Sequence, residues 1–593
     1  MASVLLICGT LVAAYFSTFI YCLIRNLFNV RKTGLPAIIV PFDQNHILWM
    51  MFSVPYQQWF REHLPEVVYS RLSLCMYGWE FHEKLRPFEK FSGPRGNDKT
   101  YVLVTCGRFE LWSRDAEVCA QIVGRPRDFT QLDISNLFMG KFGANVITSD
   151  GDKWTRHRKV VASVLNERIS KAVFNESVRQ TQGLLGEVAA KADSSGTTET
   201  NKMFDWAKKI TIHVLSGAGM GASVQWSDDS SEKPPPGFKQ TYIQSIKVVI
   251  EGVTGPLLLP RWLCLNYPSF LPGYETAKAM GYALDEFPKH TSNMLDNERR
   301  RTQARGSVTK GNIMSQLLQA SEQPADPDLK TSTGNSANAL SEREMISNLF
   351  IFTAAGFDTT ANTISYALVL LARYPQWQHW LLEEIDEIVP KDPSEELDHV
   401  AVFPRATRLL AFMLEVLRHY SPLVHISKQT QTAQTIPTSR GTIWLPAYST
   451  VYINSVALHL DPDVWCNLNL ADNEQGSDKD EFRFRPTRWI NPPGSAQPLF
   501  QPPKGAYLPW SGGPRVCPGQ KMAQVEFCAV FLTLLRQHEI GAVPLENESR
   551  EDTEKRLEAR IQNSMSILTS QMKDVYDVQE GDPKGLKMRI SRR

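Results

Sequence analysis

The 593-residue chain has almost no excess of either charge, since 64 Lys and Arg stand against 63 Asp and Glu for a formal +1. That balance removes any bulk electrostatic reason to expect nucleic acid as a partner. Paired cysteines are also lacking. Nine are scattered at Cys8, Cys22, Cys75, Cys106, Cys119, Cys264, Cys466, Cys517 and Cys528 without a repeated spacing. Such a set argues against a disulfide framework or a zinc site and for reduced thiols. No internal repeat is evident. Nor is there a complete dinucleotide fingerprint: Gly217, Gly219 and Gly221 after an apolar run imitate one, but the chain continues into the polar, Pro-rich stretch 227–237 instead of a helix. This reads as a Gly-rich helix ending. With no nicotinamide or flavin site visible, electrons for redox chemistry must come from elsewhere.

Charge is missing from residues 2–24 altogether, a run of 23 residues. At ~1.5 Å per residue such a helix spans a ~30 Å hydrocarbon core, so it reads as a transmembrane anchor. Arg25, Arg31 and Lys32 follow it and no Lys or Arg precedes it, which leaves the bulk of the chain in the cytoplasm. The rival, a cleaved signal peptide, calls for a basic start and a shorter apolar stretch. Pro36 and Pro41 then break regularity, and Trp49, Phe52, Tyr56 and Trp59 suit a membrane interface. The expected division is an anchor with its basic flank at 1–32, a Pro/aromatic interfacial linker at 33–60 and one catalytic domain at 61–593. With this topology the sequons at Asn175 and Asn547 are hidden from the lumen.

The chemistry concentrates near the C-terminus, at Pro509-Trp510-Ser511-Gly512-Gly513-Pro514-Arg515-Val516-Cys517-Pro518-Gly519, ahead of a helical pattern. A thiolate becomes a good iron ligand when backbone N–H groups and a helix N-terminus stabilise its charge. Glycines 513 and 519 permit close approach, Pro514 and Pro518 stiffen the turn, and Pro518 suits a first helical position. Taken alone, a lone Cys in a tight turn is as well explained by packing.

Three other segments supply context. Ala355-Gly356-Phe357-Asp358-Thr359-Thr360 lies in an apolar-periodic run, 341–374, that reads as one buried helix. Glu415-Val416-Leu417-Arg418 lies in a helical stretch, 406–420, where residues three apart share a face; on its own this is an ordinary salt bridge. Trp154-Thr155-Arg156-His157-Arg158 also has helical spacing, and a basic surface helix would look similar.

Together these segments resemble the cytochromes P-450, the haem-thiolate monooxygenases. The cysteine loop fits the family pattern aromatic-x-x-Gly-x-Arg-x-Cys-x-Gly, with Trp510 where Phe is usual. The resemblance implies a mainly α fold, a large helical bundle around haem b with small β-sheets, preceded by the transmembrane helix. Cys517 becomes the axial iron ligand. Asp358 and Thr359 become a proton relay, and Gly356 makes room for a diatomic ligand. Propionate contacts fall to Trp154, His157, Arg158, Arg515 and Lys428, the last standing where an Arg is often found. Glu415, Arg418 and Arg488 form a buried triad, with a thinner network expected because Thr487 replaces a common Glu. The pocket wall is assigned to 129–147, the lid segment 255–273, Phe352 and Ala355, and Leu423, Val424 and Ile426. Leu257, Leu258, Leu259, Trp262 and Leu263 of the lid are expected to dip toward the membrane. Implied partners are O2, a lipophilic small molecule and a membrane-bound NADPH–cytochrome P-450 reductase in the endoplasmic reticulum. The motif segments are similar to those of filamentous-fungal members that tailor terpenoids, polyketides or alkaloids. A reductase-independent isomerase or dehydratase of the same fold, and a haem sensor with a Cys-Pro pair, remain as alternatives.

Overall fold

The computed structural model describes residues 2–91, 99–222, 224–227, 233–252, 259–305, 311–322, 339–470, 476–566, 569–576, 578–579 and 585–593. Nearly all of the stretch 322–339 and residues 228–232, expected as surface loops, lie outside these, as do Leu257 and Leu258.

Helix α1, Ala2–Thr33, is apolar and long enough over Gly9–Thr33 to cross a membrane. Its far end is not free of the body. Asn26 is buried, and its amide donates to Thr105 O at 3.1 Å and Gly107 O at 2.9 Å. The Pro/aromatic segment 33–60 contains regular structure despite Pro36 and Pro41. It contributes strand β1, Ala37–Ile39, and helix α2, Ile47–His63, which tolerates Pro55 within it. β1 pairs in parallel with β2, Thr100–Val104, so the linker's main-chain groups are drawn into a sheet that satisfies them.

That sheet has five strands in the order β1-β2-β3-β5-β4, where β3 is Phe109–Ser113, β4 is His425–Gln429 and β5 is Thr450–Asn454. Beside one three-stranded and two two-stranded sheets, the main helices are α3 (Gly151–Val164), α4 (Glu167–Lys191), α5 (Met203–Val214), α6 (Tyr274–Arg305), α7 (Glu342–Arg373), α8 (Thr407–His419) and α9 (Gln520–Leu535).

Two of these run through the core. In α7 Ser341 closes a reciprocal capping box with Glu344, and an unbroken stretch from Ile364 to Leu371 is buried. In α9 every residue from Val525 to Leu535 is buried, as expected of a helix apolar all round. α9 packs along α4, and α5 along α7. The Gly-rich decoy is a helix ending, as read: α5 continues into one π-type turn, Leu215–Gly219.

Candidate active site

Between α7 and the loop entering α9 lies a mostly apolar cavity of about 470 Å³. α7 faces it with Phe352, Ala355, Gly356, Thr359 and Thr363, the three- and four-residue spacing of a single helix face. Ala355 is exposed there although the helix around it is buried. Gly356 also lets α5 approach: a Cβ at that position would stand 3.2 Å from Leu215 Cδ2. Thr359 Oγ1 donates back to Ala355 O at 2.7 Å.

Cys517, Pro518 and Gly519 form part of the lining. The loop holding them is built on close contact. Gly513 has φ of +61°, and a Cβ there would meet Val123 O at 2.3 Å, so no side chain fits. Gly519, by contrast, has an ordinary φ of −85° and serves as the residue before α9, which begins at Gln520 and not at Pro518. Cys517 lies deep in the fold, its surface opening on the cavity. Burial pushes its thiol up, and the N–H groups of Gly519 and Gln520 and the Arg158 guanidinium oppose that shift. These donors already favour a thiolate. A metal cation bound to sulfur would complete the deprotonation.

Cationic side chains gather along the same cavity. Arg158 Nη1 donates to Val516 O at 2.8 Å. Arg515 donates to Ser149 O at 2.9 Å and to Asp150 Oδ1 at 2.5 Å, and its guanidinium lies 4.6 Å from the centre of the Trp154 ring. Its Nε is buried without a hydrogen-bond partner among the described residues. Lys428 Nζ donates to Gln131 Oε1 at 2.7 Å; burial, reinforced by Arg515 and opposed by Asp150, pushes its ammonium down to about 7. An orphaned guanidinium N–H and a depressed lysine signal that this cluster wants an anionic acceptor. Two propionates beside a thiolate ligand fit that demand, so the residues present suit haem.

The buried triad is present. Arg418 Nε and Nη2 contact Glu415 Oε2 and Oε1 at 2.8 and 2.9 Å, and Arg488 Nε reaches Oε1 at 3.0 Å. Burial drives the Glu415 carboxyl up, but the guanidiniums of Arg418 and Arg488 override it and hold it well below the usual carboxylate range. Further side chains join this network. Asp480, unnoticed in the sequence, receives Arg485 at 2.9 Å and Arg488 at 3.0 Å, and Trp489 Nε1 adds a bond to Glu415 at 2.9 Å.

Four expectations need correction. His157 does not line the cavity: its ring is wholly buried, with Nδ1 3.0 Å from the Asn348 amide of α7. On α3 it is one residue from Arg158, and a ~100° step turns it toward the core. Asp358 is likewise turned away from Thr359, its carboxyl held by Thr569 Oγ1 on the far side of α7. Burial pushes that carboxyl up, against the Thr569 hydroxyl and Lys208. Val424 is core and not wall, whereas Leu423 and Ile426 do line the cavity. No described residue of 255–273 reaches it, although Trp262 and Phe270 are exposed elsewhere on that segment. From 129–147 the wall takes Gln131, Leu132, Ser135, Phe138, Met139, Val146 and Ile147.

Among the wall residues that the sequence did not point to are three polar ones. Glu526, one helical face along α9 from the cysteine loop, is buried with Oε1 unpaired, and burial alone raises it to about 8. His425 is backed by Glu80, 345 residues away. Asn45 comes from the segment 33–60. Of these three, Glu526 had a sequence signal, an acid inside an apolar helix, while His425 and Asn45 depend on long-range folding.

The sequence profile of the family described as Cytochrome P450 matches residues 119–568. The chain belongs to the cytochromes P450. It is 38 % identical over 590 residues, 96 % of both chains, to a phomenoic acid biosynthesis cluster cytochrome P450 monooxygenase of Leptosphaeria maculans. It is 24 % identical, over 93 % of both chains, to a cytochrome P450 monooxygenase of Arthrobotrys oligospora. A Penicillium roqueforti cytochrome P450 monooxygenase is 24 % identical over 88 % of this chain and 89 % of its own. This P450 is therefore an oxidoreductase of the monooxygenase type, and its family implies a haem-thiolate iron, O2, a redox partner and a lipophilic substrate.

Proposed function

We propose that this P450 inserts one oxygen atom of O2 into a lipophilic terpenoid, polyketide or alkaloid during secondary metabolite biosynthesis, by hydroxylation or epoxidation. The observation that carries the reading is the opening of Cys517 Sγ into the same cavity as Thr359, beside the cations Arg158, Lys428 and Arg515. Similarity to a protein of the phomenoic acid cluster supports a secondary-metabolite substrate.

In this reading Cys517 holds the haem iron, and Arg158, Arg515, Lys428 and Trp154 hold its propionates. When bound, haem supplies the O2 activation and the oxygen transfer. The chain supplies the surroundings. Phe352, Ala355, Leu423 and Ile426 exclude water and orient an apolar substrate. Thr359 Oγ1 holds a proton at the cavity face, returning to Ala355 O when idle. Asp358 acts from behind α7, where Thr569 and Lys208 form its local network, and not by a direct bond to Thr359. Glu415, Arg418 and Arg488 act structurally, fixing the segments that position the cysteine loop.

Residues 1–32 would form a single-pass anchor, 33–60 the interfacial segment and 61–593 the catalytic domain. Burial of Asn26 against Thr105 and Gly107 favours retention of the first helix over its cleavage. Arg25, Arg31 and Lys32 favour a cytoplasmic catalytic domain, on the endoplasmic reticulum, served by a membrane-bound reductase that oxidises NADPH. The test is a product screen. Microsomes holding the full chain and a reductase are offered candidate metabolites, with oxygenated products identified by mass and required to depend on NADPH and O2. NADPH-independent turnover would favour the isomerase alternative. Cys517→Ser should abolish both the thiolate band of the reduced CO complex and turnover.

A further inference from the structure

The cavity wall is apolar except at a few points, and one of them belongs neither to the cation cluster nor to α7. His425 opens β4 and faces the cavity, three residues from Lys428, so ~10 Å along the strand by its rise. Its Nδ1 is bonded to Oε1 of Glu80, in the short helix Glu80–Glu83, and Glu80 is fully buried. Aromatic residues grip the ring edge-on: Tyr77 at 5.5 Å, Tyr452 at 5.1 Å and Trp112 at 5.9 Å between centroids. A carboxylate only accepts, so Nδ1 carries the hydrogen and Nε2 is the ring atom left over. Among the described residues Nε2 has no hydrogen-bond partner, and it is not one of the atoms sealed from the cavity.

A buried carboxylate–histidine pair with rigid aromatic walls is a built polar site, expensive to leave without a purpose. We infer that the Glu80–His425 pair recognises a hydroxyl group of the substrate through His425 Nε2, deepening the monooxygenase reading on which it rests. A hydroxyl suits either ring state, donating to the neutral imidazole or accepting from the charged one. A carboxylate suits only the charged ring, and Glu80 already offsets that charge. The apolar remainder of the molecule then lies along Met50, Val54, Leu423 and Ile426 toward α7. His425 becomes a positioning residue, fixing which carbon is presented to the reacting centre.

The test uses the full chain with haem in detergent micelles and three probes of one length: 1-dodecanol, dodecane and dodecanoate. Binding is followed by the haem absorption shift and independently by equilibrium dialysis. The wild type should bind the alcohol ~10-fold more tightly than the alkane, the size of one good hydrogen bond. His425→Phe keeps a flat ring among the three aromatics and should bring alcohol and alkane within about twofold. The double variant Glu80→Gln/His425→Phe, which orphans no buried carboxylate, should behave the same. Equal binding of alcohol and alkane by the wild type overturns the inference, as does a preference that survives His425→Phe or a His425-dependent preference for dodecanoate. Failure of the underlying reading would look different, as loss of the thiolate CO band in the wild type whatever the probes show.

Discussion

Arg488 meets Glu415 across 73 positions of sequence, Nε to Oε1 at 3.0 Å, with both side chains completely buried. Two charges out of water are stable only when every remaining donor is satisfied, and here main-chain carbonyls do much of that work. Arg488 also donates to Trp465 O at 2.6 Å and Arg483 O at 3.0 Å. Removing the acid takes the carboxylate from Arg418 and leaves Arg488 with Asp480 alone, so Glu415→Gln should cost ~3–5 kcal/mol. Urea titration of the full chain in micelles, read by loss of haem absorbance, measures this. A cost below ~1 kcal/mol would show that the pair is no better than a surface bridge.

Thr359 and Asp358 should separate in their effects, because neighbours on a helix point ~100° apart and only Thr359 faces the cavity. Thr359→Ala should lower product formation ~10²-fold, the scale of a positioned proton donor, while NADPH consumption continues. Thr359→Ser should retain most of the coupling. Asp358→Asn keeps its bond to Thr569 and should be milder than Thr359→Ala. Equal losses in the two variants would restore the direct relay that the geometry rejects.

The parts of this site that could be read from sequence are those in which chemistry is local. The cysteine loop carries its own turn residues, α7 its own periodicity and capping box, and Glu415-x-x-Arg418 its own spacing. Helical rotation was the information missing for His157 and Asp358: both lie in the right element, but one residue from the face that matters. Val424 differs: it packs into the core while its neighbours Leu423 and His425 reach the cavity, a choice of side-chain direction that nothing in the local sequence marks. Asp480, Glu80 and His425 were beyond reach because their meaning comes from partners far along the chain. The regular structure within 33–60 was hidden in the sequence because β1 gains its stability from pairing with β2 and not from local propensity.

Gly356 serves two needs at once, a cavity notch and close approach to Leu215. Gly356→Ala must displace Leu215 Cδ2 by a few tenths of an ångström from its 3.2 Å contact, against a gain of ~1 kcal/mol in helix propensity, so it should be near neutral in stability. Gly356→Val should cost ~1–3 kcal/mol through overpacking. Adding Leu215→Ala should return part of that loss, a coupling that double-variant urea titrations would read. Strict additivity of the two changes would mean that the contact carries no strain.

Acid sensitivity should come from buried histidines. Burial, reinforced by Arg418, lowers His459 to about 3 and His419 to about 4, and burial with Arg61 lowers His82 to about 4. A depressed group binds its proton in the unfolded chain first, near 6.5, so its stabilising contribution is complete above that pH and shrinks as pH falls toward the folded value. At pH 5 the loss for His459 is ~2 kcal/mol, at ~1.4 kcal/mol per pH unit. Glu526, raised to about 8 by burial, and Glu110, which burial and then Asp43 hold well above the usual carboxylate range, act in the opposite sense. The clean quantity is therefore the difference between the wild type and His459→Gln, whose amide oxygen can still accept the Leu508 N–H that Nε2 takes at 2.9 Å. Between pH 7.5 and pH 5 the variant should lose ~2 kcal/mol less stability than the wild type. If the two urea midpoints fall in parallel, His459 is not buried neutral and the assignment fails.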